Sequence, residues 1–206
     1  MNIEKVHEKA KSLMIKNRVR ISRESGYSYY HGTRVANLAI TLRNYLFPEI
    51  YEFDDIIYAA GYFHDIGKGF EPHNKYGAAL AKEALRDLCT NEELDLICEI
   101  ILNHCNKGGS NNDHFTSKLI QDADGIDWIG ANGVWIDLYH KANIDMSSME
   151  YIDTFKEPHD TGENAKFNYD ITKQIFIDRM KYKNEFILRL SKEAIGEIYI
   201  PQRFGL

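Results

Sequence analysis

The chain is short of cysteine and proline, has no apolar run long enough to span a bilayer, and gathers its lysines and arginines into no cluster. Cys89, Cys98 and Cys105 leave an odd count and form no C-x-x-C pair, which argues against a disulfide framework and suits a reducing compartment. Cys98 and Cys105 sit two helical turns apart beside His104, so a thiolate metal site is conceivable there. Small apolar residues of an amphipathic helix are the favoured reading of these cysteines. The net charge of −6 disfavours an extended nucleic-acid surface. An acidic chain still binds phosphate compounds where a metal and a few local cations reverse the field in one pocket. Met1-Asn2-Ile3-Glu4-Lys5 lacks the charged-then-apolar pattern of a signal peptide, so a cytoplasmic protein with no membrane partner is expected. Repeats, low-complexity segments and sustained period-two patterns are all missing.

What is present is helical periodicity. At 206 residues the chain suits one large domain over 1–206. Ile3, Val6, Ala10, Leu13 and Met14 predict a first helix within 3–21, broken at Ser25-Gly26. A second begins near His31, carries Val35, Leu38, Ala39, Leu42 and Leu46, and stops before Pro48. Asp54 or Asp55 is expected to cap a third, running into His64-Asp65, and Asn74 to cap a fourth. Thr90 and Glu93 fit a capping box for a fifth, ending at His104. Thr116 or Ser117 starts a sixth, and Val134 to His140 reads as a further piece. Residues 145–169 read as a long connection with one short helix at most, and Ile171 to Ala194 as a terminal helix. The fold reads as all-α.

The chemistry concentrates in Tyr62-Phe63-His64-Asp65-Ile66-Gly67-Lys68-Gly69. An apolar helix delivers an adjacent imidazole and carboxylate, and buried polar groups of that kind need a partner. A metal ion would use both. The Gly-Lys-Gly turn then allows close backbone approach by an anion, with Lys68 as a mobile positive charge. On inner faces or helix ends lie His31, His64, Asp65, His73, His104 and Asp124. Two imidazoles with two carboxylates suit Mn, Fe, Co, Ni or Zn, and less well Mg. Spacing alone does not choose among these residues.

The order His31, His64-Asp65, Asp124 resembles the H…HD…D signature of the HD-domain metal-dependent phosphohydrolases. His31-Gly32-Thr33-Arg34-Val35 resembles the family's opening H-x-x-R-V. The segment from Ala59 to Lys68 resembles its small-residue run ending in H-D-I-G-K. Gln121 to Gly130 resembles the D-A-D-x-L-D-x-x-G segment of the small bacterial HD hydrolases. The resemblance covers residues 31–130 and extends weakly into the terminal helix. It implies a single HD-type helical bundle with a metal site in its core cleft, a metal-binding core at 27–143 and a helical extension at 144–206. It further implies metal ligation by His31, His64, Asp65 and Asp124, and hydrolysis of a phosphate ester or anhydride of a nucleotide or related metabolite by metal-activated water. Asp65, Lys68, His73 and His104 are the expected catalytic set, and Lys68, Arg34, His73 and His104 the expected substrate contacts. A second cation held by Asp65, His73 and His104 stays open as the alternative role for those histidines. Arg34 is expected to pair with Asp127 or Asp124, with substrate contact as its second role. Asp122 and Asp127 read as supporting or capping groups. His159-Asp160 follows Pro158 in a polar loop and reads as a chance repeat of the dipeptide. Lys107-Gly108-Gly109-Ser110 stands where cyclic-dinucleotide enzymes carry G-Y-P, which argues against that role. A di-iron HD-type oxygenase and a non-catalytic metal-binding regulatory module are the rival readings. Oligomeric state is not legible.

Overall fold

The apolar stripes become nine α-helices among the described residues, which are 1–17, 23–108, 112–155 and 162–200 of a computed structural model. In chain order they are α1 (Ile3–Met14), α2 (Tyr27–Leu46), α3 (Asp54–Phe63), α4 (His73–Leu85), α5 (Asn91–Asn103), α6 (Phe115–Asp127), α7 (Ala131–Ala142), α8 (Ser148–Asp153) and α9 (Asp170–Glu193). No strand occurs among the described residues, and no helix among them is long and apolar enough to cross a membrane. The result is a single all-α domain. Residues 18–22, Gly109, Ser110, Asn111 and the His159-Asp160 dipeptide lie outside the described residues.

The main core joins α1 to α6. Ile57, Phe63, Leu85, Ile97, Ile101, Leu119 and Ile120 are wholly buried in it, each contributing about 1.5–3 kcal/mol of hydrophobic stabilisation. α1 docks through Val6, Ala10 and Met14, while His7 stacks on Tyr29 and Tyr62 and meets the Tyr29 hydroxyl at 2.8 Å. A smaller cluster of Ile126, Ile129, Phe176 and Met180 fastens α9 to the end of α6. The backbone amides of Asn168 and Tyr169 donate to the buried Asp122 carboxylate, which ties the start of α9 to the middle of α6. Asp122 therefore joins two helices and caps neither.

Helix starts depart from expectation at α2, which begins at Tyr27 a turn before His31, and at α3 and α4. α3 begins after Phe53 with no side-chain cap. Asp54 instead receives Nε and Nη2 of the buried Arg43, because a two-pronged guanidinium outcompetes a single amide for the carboxylate. α4 begins after Pro72, and Asn74 turns its amide to the Leu102 carbonyl. The Thr90–Glu93 capping box forms as expected, and Ser147 with Glu150 builds a second one that starts α8.

Candidate metal centre and cleft

Two small residues set up the centre. A Cβ on Gly61 of α3 would lie 2.6 Å from the Ala36 Cα of α2, and one on Gly32 would lie 2.6 Å from the Tyr62 carbonyl oxygen. The helices thus cross nearly backbone to backbone, which places His31 on the second turn of α2 beside His64 at the C-terminal cap of α3. Asp65 follows in the turn, and Asp124 arrives from the last turn of α6.

Each imidazole is held from behind. His31 Nδ1 donates to Asp127 Oδ2 at 2.8 Å, and His64 Nδ1 donates to the Gly61 carbonyl at 2.8 Å. Both partners only accept, so both Nε2 atoms are left as the ligating positions. These two atoms face each other at 3.1 Å. Asp124 Oδ1 lies 3.1 Å from His31 Nε2 and 3.8 Å from His64 Nε2; Asp65 Oδ2 lies 3.6 and 3.8 Å from the same pair. Donors bound to one ion at about 2.0–2.2 Å stand roughly 3.0–3.5 Å apart, so the set needs only small adjustments to enclose a cation. His31, His64 and Asp65 are all buried. Packing alone gives no reason to bring two imidazole nitrogens face to face in a dry core.

The electrostatics ask for the same positive charge. Burial would lower the His31 pKa, yet its hydrogen bonds to Asp124 and Asp127 outweigh burial and raise it to about 9. A protonated His31 there does the work of a cation balancing nearby carboxylates. His64, with no carboxylate held as close, is pulled down to about 4, chiefly by burial. Asp65 and Asp124 stay well below the usual carboxylate range despite burial, because imidazoles surround both and Lys68 and Lys107 flank them.

Asp65 looks two ways. Its Oδ1 lies 3.7 Å from His73 Nε2 and 3.6 Å from His104 Nε2. His73 opens α4, His104 caps α5, and their Nε2 atoms meet at 3.2 Å. Burial of His104 is overcome by its contacts with Asp65 and Cys105, which raise it to about 10.

Above the first cluster opens a cavity of about 300 Å³ lined by Arg23, Tyr27, His31, Asp65, Lys68, Lys107, Asp124 and Trp128, among others. The arrangement can bind a cation at its floor and an anion at its rim.

A model of the HD domain matches residues 28–129. The chain belongs to the HD-domain superfamily, one of metal-dependent phosphohydrolases. Bacillus subtilis YpgQ, solved in complex with ADP, is similar to this HD protein at 17% identity with a TM-score of 0.60, over 95% of this chain and 99% of that one. A Lactobacillus plantarum protein matches at 20% identity and TM-score 0.61, over 96% and 100%. The Lin1889 protein of Listeria innocua matches at 18% and 0.59, again over 96% and 100%. At these identities the likeness speaks for the HD fold. No match was found among curated proteins.

Within the HD frame, the other expected residues sort by position. Lys68 Nζ pairs with Asp65 at 3.1 Å from the cleft edge. Arg34 is committed to Asp127 through Nε at 2.8 Å and Nη2 at 2.9 Å, and it lines a different cavity on the far side of that carboxylate. Gly67 serves a purpose other than anion approach: a Cβ there would lie 2.3 Å from the His73 carbonyl oxygen, so the turn is packed against the start of α4. Cys98 points to the Ala78 carbonyl, in keeping with a packing role. Cys105 does not fit that reading. It is exposed, with Sγ 3.3 Å from His73 Nε2 and 3.4 Å from His104 Nε2. Sequence reasoning missed Arg23, Tyr27, Lys107 and Trp128 as cleft residues. Lys107, whose Nζ contacts Asp124 Oδ2 and the Gln121 carbonyl, was detectable only as the one cation beside His104.

Proposed function

We propose that this HD protein hydrolyses a phosphate ester or anhydride of a nucleotide or a related small phosphorylated metabolite, with a divalent metal held by His31, His64, Asp65 and Asp124. The observation that carries the reading is the cleft itself: in a chain of net charge −6, three cations and two aromatic rings rim one cavity directly over the buried donor cluster. Arg23, Lys68 and Lys107 offset the lining's Asp65, Asp124 and Asp137, so a bound divalent cation would give the rim the sign a phosphate needs. Trp128 gives it a flat apolar face of the kind a base stacks on, while Tyr27 is stacked on His31 beneath the Arg23 guanidinium. The ADP bound to YpgQ supports a nucleotide as the substrate class.

A bound divalent ion would acidify water and neutralise charge building on phosphoryl oxygens. The chain's own residues supply the rest. Asp127 and the Gly61 carbonyl fix the two imidazole rings, so no ring rotation accompanies turnover. Lys68 and Lys107, each engaged with a carboxylate at the cleft floor, swing a short distance to a phosphate oxygen and stabilise negative charge there. Asp65 or Asp124 orients the attacking water by accepting its hydrogen bond.

The test is release of phosphate or pyrophosphate from a panel of nucleotides with added Mn, Co or Ni. Asp65→Ala should abolish release while circular dichroism keeps its helical form. Turnover unchanged in that variant would overturn the assignment. The di-iron oxygenase remains the second reading, favoured by Asp65 facing two histidine pairs at once. Iron content of protein purified in air, with its visible absorbance, separates it from the hydrolase.

A further inference from the structure

We propose that the cavity between α2, the α6–α7 turn and α9 is a binding site for a small carboxylate with a short apolar body, separate from the metal cleft. The site stands whether or not the cleft hydrolyses phosphate.

The cavity has a volume of about 410 Å³, within the roughly 300–1,000 Å³ that small-molecule sites span. Among the described residues it shares no lining residue with the cleft over the metal centre. The buried Asp127 carboxylate stands between the two, bound to His31 on one side and to Arg34 on the other. Leu38, Ile129 and Ala131 make an apolar wall. Leu38 packs on both hydrophobic clusters and Ile129 belongs to the smaller one, so that wall is fixed in place.

Against that wall stands an unbalanced positive charge. Arg34 and Arg179 both line the cavity, and Asp127 is the one carboxylate among its described lining residues. Two cations against one anion leave a single positive charge over, in a chain whose net charge is −6. Arg34 gives Nε and Nη2 to Asp127, and its Nη1 has no acceptor among the described residues. Arg179 gives Nη1 to the Ile126 carbonyl, while its Nε and Nη2 have no acceptor and its charge no carboxylate among them. The stem of Arg179 is held: a Cβ on Gly130, whose φ is +78°, would lie 3.1 Å from Arg179 Cγ and 3.2 Å from its Cβ. The guanidinium is thus presented by a side chain packed on bare backbone. Charge and wall together choose the ligand. A carboxylate matches the planar fork of a guanidinium and carries the one negative charge to be balanced. A phosphate dianion overshoots that charge and would set oxygens against apolar surface.

Calorimetric titration of the full chain, freed of metal by chelator, with hexanoate tests this. One equivalent should bind with a Kd of about 1 mM or tighter. Each methylene removed on the way to acetate should weaken binding by up to roughly fourfold, as apolar contact is lost. Arg179→Met keeps an apolar stem without the charge and should weaken hexanoate by about tenfold or more. Ala131→Leu adds bulk at an exposed position on the cavity lining and should weaken it likewise. That second variant removes no hydrogen bond, so it decides the matter should Arg179→Met fail to fold; urea unfolding checks both. Lys68→Met, in the metal cleft, should leave hexanoate binding unchanged. Binding lost in Lys68→Met and kept in Arg179→Met would put the carboxylate in the metal cleft and overturn the site. Inorganic phosphate bound through Arg179 as tightly as hexanoate would overturn the choice of a carboxylate. Absence of hexanoate binding, or its survival in both cavity variants, would overturn the site altogether.

Discussion

His31 reaches the metal centre only as one link in a chain of commitments. Arg34 grips both oxygens of Asp127, and Asp127 in turn holds His31 Nδ1. The buried carboxylate fixes the tautomer and the ring plane at once. Asp127→Asn removes the charge and one of the accepting oxygens, so His31 loses the partner that makes its Nε2 a strong donor. Metal affinity should fall by about 10- to 100-fold, measured by competition with a metallochromic chelator. An unchanged affinity would mean that Asp127 only packs. Residues of this kind are where the sequence was most and least readable. His31, His64, Asp65 and Asp124 stand in motifs, and the structure brings their donor atoms together. Lys107 and Trp128 belong to no pattern; the field and stacking faces they bring to the cleft depend on loop and helix-end geometry that no spacing rule encodes. Cys105 was misjudged for a related reason. Periodicity placed it beyond a helix end, and only the fold turns that end toward His73.

At the scale of elements, the helices were legible because burial imposes its period on the sequence, and their ends were less so because several groups compete for each carboxylate and amide. Asp54 shows the competition, with Arg43 winning it. The crossing of α2 and α3 was legible only as small residues; which backbone they admit is a tertiary fact. A pair of substitutions separates the two roles a helical glycine plays. On Gly61 an added methyl meets Ala36 Cα, Cβ and N at 2.6–2.8 Å, and α2 must move to admit it. Gly61→Ala should cost about 3 kcal/mol, the upper end for overpacking, and should weaken metal binding by parting His31 from His64. On Gly77 of α4 the nearest atoms are the His64 carbonyl oxygen and Ile101 Cγ2, both at 3.4 Å, an ordinary contact. Gly77→Ala should leave stability unchanged or raise it by up to about 1 kcal/mol, since alanine is the better helix former. Urea unfolding of both variants decides it; equal losses would refute the close-crossing account.

Across the whole molecule, the first cluster is a tie between distant parts of the chain. Its donors come from the second turn of α2, the turn after α3 and the last turn of α6, which are 93 positions apart from His31 to Asp124 (124 − 31). The same helices bury the main core, so their arrangement is lost on unfolding, and the unfolded chain cannot hold the donors together. A cation that binds only the folded state adds stability as the logarithm of its concentration over Kd, about 2.7 kcal/mol at a hundredfold excess. For a chain of this size each kcal/mol moves the midpoint by about 2–4 °C, so Mn at that excess should raise Tm by about 5–10 °C. Chelator should reverse the rise, and Asp65→Ala should abolish it while keeping the metal-free Tm within a few degrees. The rise should scale with the logarithm of metal concentration, which distinguishes binding from a salt effect: an equal rise with sodium chloride at matched ionic strength would show that charge screening, and no assembled site, stabilises the fold.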